Sequence, residues 1–215
     1  APAAHIAMEL GCEGPSSTHV EFELSAESAL IHAAFDVLAG RAERMLVVAG
    51  DAPVVEATQE LQSLFGADAD HPLVPGAAAL VLERASAAMT RGAPVLAHLR
   101  FVDWAPAASG ARTDAPEEGT LRTLATYAAE PGTHWLLEDV TKQRPPRLCA
   151  WLERRGWSAL PVGAATGRQP SGGLLRLVHS LSALQATVMP GATRQLLHLS
   201  EDTLGNCRVL MLELQ

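Results

Sequence analysis

The chain has 215 residues, 48% of them apolar and 19% charged, with a net charge of −8. That balance describes a globular protein with a real core and argues against a disordered chain. The acidic excess argues against a nucleic-acid partner, which needs a positive stripe to meet phosphates.

The first residues read as a helix already under way, and the opening at Ala1 points to a sequence that begins within a longer parent. His19 to Phe22 is a short extended stretch. Ala26, Ala29, Leu30, Ala33 and Val37 follow helical spacing, with Gly40 placed to end that helix. Arg44 to Gly50 predicts a buried strand, Ala77 to Glu83 a second, and Pro94 to Trp104 a longer third. The Pro/Ala/Gly-rich stretch from Ala105 to Pro116 reads as a boundary. Beyond it, Leu121, Leu124, Ala125 and Ala128 mark a helix and His134 to Glu138 a strand. Pro146 to Leu152 marks another helix, ended by Gly156. Ala159 to Ala165 predicts a strand. Leu174, Leu177, Val178 and Leu181 give a helix apolar around most of its circumference, hence buried. Gln195 to Leu199 and Arg208 to Glu213 are the last two strands. Alternating strands and helices imply a layered α/β fold with a largely parallel sheet.

Three cysteines, Cys12, Cys149 and Cys207, form no C-x-x-C pair and no disulfide framework. No apolar run reaches the roughly 20 residues a membrane helix needs. A reduced, cytoplasmic setting without membrane contact is the expectation.

Several segments resemble the β-ketoacyl synthase family. Gly14-Pro-Ser-Ser-Thr18 is similar to the G-P-S-x-T segment that leads through a strand to the nucleophile elbow. Gly76 to Arg84 resembles the family's G-E-G-A-x-x-x-V-L-E segment, and Arg91 to Ala97 the R-G-x-x-x-x-A after it. Ser182-Ala-Leu-Gln185 looks like the end of the late A-L-L-A-L-Q helix, and Thr203 to Val209 stands where the family has a Gly-rich turn. The resemblance implies a thiolase-like layered fold (α/β/α/β/α) whose N-terminal part is missing or separate. Residues 1–104 would be the remainder of the N-terminal half and 105–215 the C-terminal half, in one compact unit.

A condensing enzyme needs a thiolate at a helix N-terminus to attack an acyl thioester. It also needs two His side chains to stabilise the enolate and oxyanion of decarboxylation. Carried onto this chain, the nucleophile position falls on Glu23. The first His position falls in Glu138 to Gln143, at Val140, and the second near Gly167. All three are substituted. The resemblance therefore implies a chain-length-factor-like subunit, similar to the partners of aryl-polyene-type ketosynthases, with no catalytic residue, cofactor or metal of its own. Its partners would be an active ketosynthase, in a heterodimer, and through that complex an acyl carrier protein. The dimer interface and acyl tunnel would be formed by Ser17, Thr18, His19, Val20, Glu21, Phe22, Glu23 and Ala26.

The alternative is a repurposed acyltransferase, decarboxylase or hydrolase using Glu23 with His19 or His32. The other reading of Glu23 is a plain helix-cap acid. Cys12 is expected to be a small buried apolar residue and no nucleophile, and His179 a core or partly exposed side chain. His5, His71, His134 and His198 lack metal-ligand spacing. Lys142, Arg147, Arg154 and Arg155 form a basic cluster that is either a carrier-protein contact or a solvated helix face.

Overall fold

The computed structural model describes residues 2–21, 24–51, 75–105, 134–138, 146–160, 172–186, 193–201 and 206–214. Helix α1 spans Pro2–Leu10 and α2 Ser25–Leu38; strands β1 and β2 span Arg44–Asp51 and Gly76–Glu83. A short α3 (Ala85–Thr90) and β3 (His98–Ala105) follow, then β4 (His134–Glu138), α4 (Pro146–Glu153) and β5 (Trp157–Ala159). The chain continues through α5 (Gly172–Gln185), β6 (Arg194–Glu201) and β7 (Cys207–Leu214). The helix predicted over Leu121 to Ala128 lies outside the described residues.

The strands form two sheets, one of β1 and β2 and one in the order β3-β7-β6-β4-β5. Helices α2 and α5 lie beside each other against the first sheet. Ala26, Leu30, Ile31 and Ala33 of α2 join Leu174, Leu177, Leu181 and Leu184 of α5 in one core with Val47 and Ala49 of β1. Leu196 of β6 and Leu210, Leu212 and Leu214 of β7 close the same core from the second sheet. The two helices therefore form a middle layer between the sheets, which is why their apolar positions extend beyond a single stripe.

The chain order repeats one pattern. A 14-residue helix, α2, precedes two fully paired antiparallel strands of eight residues, β1 and β2. A second 14-residue helix, α5, precedes a second such pair, β6 and β7.

The expectation of a largely parallel sheet is corrected. β4 pairs in parallel with β5 and β6, but β1–β2, β3–β7 and β6–β7 are antiparallel. Between Glu201 and Cys207 the link is far too short for the dozen or more residues a parallel crossover needs. The third strand starts at His98 and not at Pro94, and α3, which the sequence reading left unassigned, precedes it.

The end of α2 follows its sequence signal. Gly40 has φ +72°, the Gly40 N–H donates to Val37 O at 3.2 Å and the Arg41 N–H to Asp36 O at 2.9 Å. These are the two bonds of a Schellman turn, which needs a left-handed residue at that position. Arg84, just after β2, donates to Leu38 O at 3.1 Å and also to Val37 O at 3.3 Å, adding to the satisfaction of the helix-end carbonyls.

Among the described residues no helix is long and apolar enough to cross a membrane.

Candidate functional site

The segment before α2 is the first candidate. Ser17, Thr18 and Val20 are exposed, His19 and Glu21 half-buried, and Val20 keeps 82% of its surface. Described residues of this segment join no strand ladder. Phe22 and Glu23 lie outside the described residues, as do Val140 and Gly167, so the three degenerate catalytic positions carry no geometry. Ala26 is buried in the core beneath.

The segment is tied to α2 and β7 through Glu21. The Glu21 N–H donates to Ser25 Oγ at 2.8 Å, and the Leu24 N–H donates to Glu21 O at 3.1 Å. Glu21 Oε2 accepts from Ser28 Oγ at 2.7 Å and from Arg208 Nη2 at 2.6 Å, while Arg208 Nε donates to Ser28 Oγ at 3.0 Å. Partial burial pushes the Glu21 carboxyl up, but the Ser28 and Arg208 bonds and the Arg208 charge outweigh it and hold the group below the usual carboxylate range. Glu21 is 40% exposed on its side chain, so solvent screens this triangle. Arg208→Ala is expected to cost only about 1 kcal/mol of global stability. It should instead raise amide exchange at Glu21 and Leu24, which hydrogen–deuterium exchange would read directly.

His19 and His32, which the sequence reading weighed together, do meet. Their rings stack with centroids 4.6 Å apart, and Ser17 Oγ lies 3.0 Å from His19 Nε2. Burial and the neighbouring His32 lower the His19 pKa, against an opposing pull from Glu21.

A second polar cluster was not anticipated. Glu27, in the first turn of α2, is 2% exposed, and His198 and Ser200 of β6 are 0% and 1% exposed. His198 Nε2 lies 2.8 Å from Glu27 Oε1, Ser200 Oγ donates to the same oxygen, and Ser200 Oγ lies 3.1 Å from His198 Nε2. Arg176 of α5 is 1% exposed, and its charge also acts on Glu27. Burial pushes the Glu27 carboxyl up, yet the His198 and Ser200 bonds with the His198 and Arg176 charges hold it below the ordinary value. A hydroxyl, an imidazole and a carboxylate in contact are the parts of a nucleophilic triad. These are sealed from solvent, so they act as a polar tie between the layers. The available signal was phase: Glu27 falls in step with Leu30, Ile31 and Ala34, a charge on the core face of a helix.

Cys12 is exposed, correcting the expectation of a buried residue. It sits in the turn closing α1, where its N–H donates to Ala7 O at 2.8 Å, away from the core. His179 and His5 are exposed. Of the basic cluster, Arg154 and Arg155 are exposed, and the Arg155 guanidinium lies 4.2 Å over the Trp151 ring. Among the described residues no group of three or more His, Cys, Asp or Glu could hold a metal ion.

This architecture is the thiolase-like layered fold of β-ketoacyl synthases. No known protein family and no curated protein matches the sequence. Among solved structures, the chain is similar to a type II polyketide synthase acyl-carrier protein in complex with its ketosynthase bound to the hexaketide. That match has 20% identity and a TM-score of 0.74, over 99% of this chain and 62% of that one. It is similar to the oxazolomycin ketosynthase domain of Streptomyces albus JA3453, with 20% identity and a TM-score of 0.75 over 98% of this chain and 68% of that one. It is also similar to the ishigamide ketosynthase/chain length factor, with 18% identity and a TM-score of 0.68 over 99% of this chain and 60% of that one. At these identities the likeness concerns the fold. The chain spans 62% of the length of the first of these structures.

Proposed function

We propose that this chain is a non-catalytic, chain-length-factor-like subunit that pairs with an active ketosynthase in polyketide or fatty-acyl elongation and shapes the acyl tunnel. The observation that carries this reading is the segment Ser17 to Glu21. In a ketosynthase-type fold it leads to the nucleophile position, which here is Glu23, a residue unable to form the acyl thioester. Ser17, Thr18 and Val20 are exposed and the segment is anchored at Glu21 by Ser28 and Arg208, and a segment outside any ladder of the described residues is available for strand pairing with a partner. The solved relatives named above include a ketosynthase/chain length factor and a complex of a ketosynthase with its carrier protein, which supports the same class of partners. In this reading Phe22 and Glu23 stand at the tunnel wall, where added bulk limits chain length by overpacking. The aryl-polyene type of partner ketosynthase is part of the proposal.

The test is co-expression with the ketosynthase encoded beside it, mass determination of the complex and an elongation assay. A one-to-one heterodimer that elongates only with both chains is expected. Substituting the partner's cysteine abolishes product, and Phe22→Ala lengthens it. A chain that ignores the ketosynthase, or that turns over an acyl thioester alone in a Glu23-dependent manner, would overturn the proposal in favour of the repurposed enzyme.

A further inference from the structure

Where β1 starts and β2 ends, the chain builds a concave site of about 380 Å³, a size within the range of small-molecule pockets. Three arginines line it from three parts of the chain. Arg44 opens β1, Arg84 follows β2 and Arg91 follows α3. Glu43 and Glu83 line it as well, and the other lining residues are glycine and alanine, which leave room.

The fold gathers these arginines around one acid. Arg44 and Glu83 stand directly opposite each other in the β1–β2 ladder. Arg91 forks onto Glu83, with Nη2 donating to Oε1 at 2.5 Å and Nε to Oε2 at 3.1 Å. The Arg44 charge acts on the same carboxylate without a hydrogen bond. Arg84 is spent on neutral acceptors, the Val37 and Leu38 carbonyls at the end of α2. Three guanidinium charges thus meet two carboxylates, a local positive excess in a chain whose net charge is −8.

Guanidinium groups grip phosphate oxygens through paired N–H donors, and the grip is strongest when the fork is already fixed. Here two forks are fixed in advance, Arg84 by the helix end and Arg91 by Glu83, so little side-chain freedom remains to be lost on binding. A phosphate monoester carries about −1.5 to −2 at neutral pH, more than the single charge of a carboxylate, and gains more from the same cations. We infer that this pocket binds the phosphate or pyrophosphate group of a small molecule, with Arg44 and Arg84 making the contacts and Arg91 staying on Glu83. The pocket shares no residue with the Ser17 to Glu21 segment, and the inference does not depend on the proposed ketosynthase partner.

NMR titration of the intact chain tests it, with inorganic phosphate, pyrophosphate and acetate as probes and chloride holding the ionic strength constant. Saturable shifts are expected at the Nε–H groups of Arg44 and Arg84 and at the amides of Ala42 and Ala87. Pyrophosphate should bind tightest and acetate at least ~10-fold more weakly. Two substitutions at exposed positions should move the affinity in opposite directions. Arg44→Gln is expected to weaken pyrophosphate binding roughly 10-fold. Glu43→Gln is expected to strengthen it roughly 2-fold by removing a like charge, which a damaged fold could not do. Shifts that fail to saturate, that acetate reproduces at equal concentration, or that centre elsewhere overturn the inference. Affinity unchanged in both variants overturns it as well, and assigns the bound anion to general charge screening.

Discussion

Replacing Glu27 by Ala is expected to lower unfolding stability by about 3–5 kcal/mol, the usual cost of leaving the partners of a buried charge uncompensated. Glu27 is sealed at 2% exposure, and its Oε1 is the acceptor for His198 while Ser200 also donates to it. Removing it takes the shared acceptor away from a buried imidazole and hydroxyl and removes the carboxylate on which the Arg176 charge acts. The carboxyl titrates below its ordinary value in the folded chain. Its contribution is therefore full above the unfolded carboxylate pKa of about 4.3 and is lost as pH falls through the depressed folded value. Denaturant titrations between neutral pH and pH 3 should show this acid loss in the native sequence. Glu27→Gln should be less stable at neutral pH and should lose part of that acid dependence. A Glu27→Ala chain as stable as the original would show that the tie is energetically idle.

Gly173→Ala carries the second large effect, and its sign is opposite to the helix rule. Alanine inside a helix ordinarily gains about 1 kcal/mol over glycine. Gly173 lies in the first turn of α5 with its backbone against α2, and an added Cβ would overlap the carboxylate of Glu27. The methyl group must displace a buried, bonded acid, so a net loss of about 1–3 kcal/mol or more is expected, as for overpacking. The double variant Glu27→Ala/Gly173→Ala should be markedly more stable than the sum of the two single losses, because the first change removes the atoms that the second strikes. Chemical denaturation of the four chains reads this cycle, and strict additivity would refute the steric account.

Helices α2 and α5 were legible because their apolar residues repeat at helical spacing and, for α2, because Gly40 provides a left-handed stop. Strands β1, β2, β6 and β7 were legible as apolar runs bounded by polar or glycine residues. Their pairing was not. An apolar run states burial on both faces but not direction, and here three strand pairs run antiparallel within a layered α/β architecture. The Glu27–His198 contact joins residues 171 apart, so no local pattern could announce the partner, although the charge on the core face of α2 announced that one was needed. Cys12 was misjudged because cysteine is usually buried, whereas the turn after α1 holds it outside the core. The substituted positions Glu23, Val140 and Gly167 rest on the sequence alone.

The long separation of Glu27 and His198 also bears on how the chain reaches this state. Helix α2 can pack on β1 through contacts close in sequence, while the tie from α2 to β6 demands closure of a very long loop. Glu27 and His198 are therefore expected to stay hydrated until β6 docks beside α2, with their dehydration on the native side of the folding barrier. Losses at Glu27 would then appear mainly as faster unfolding, with the folding rate little changed. The polar centre of this core is then a latch on lifetime, and a chain without it is expected to open more often to proteases.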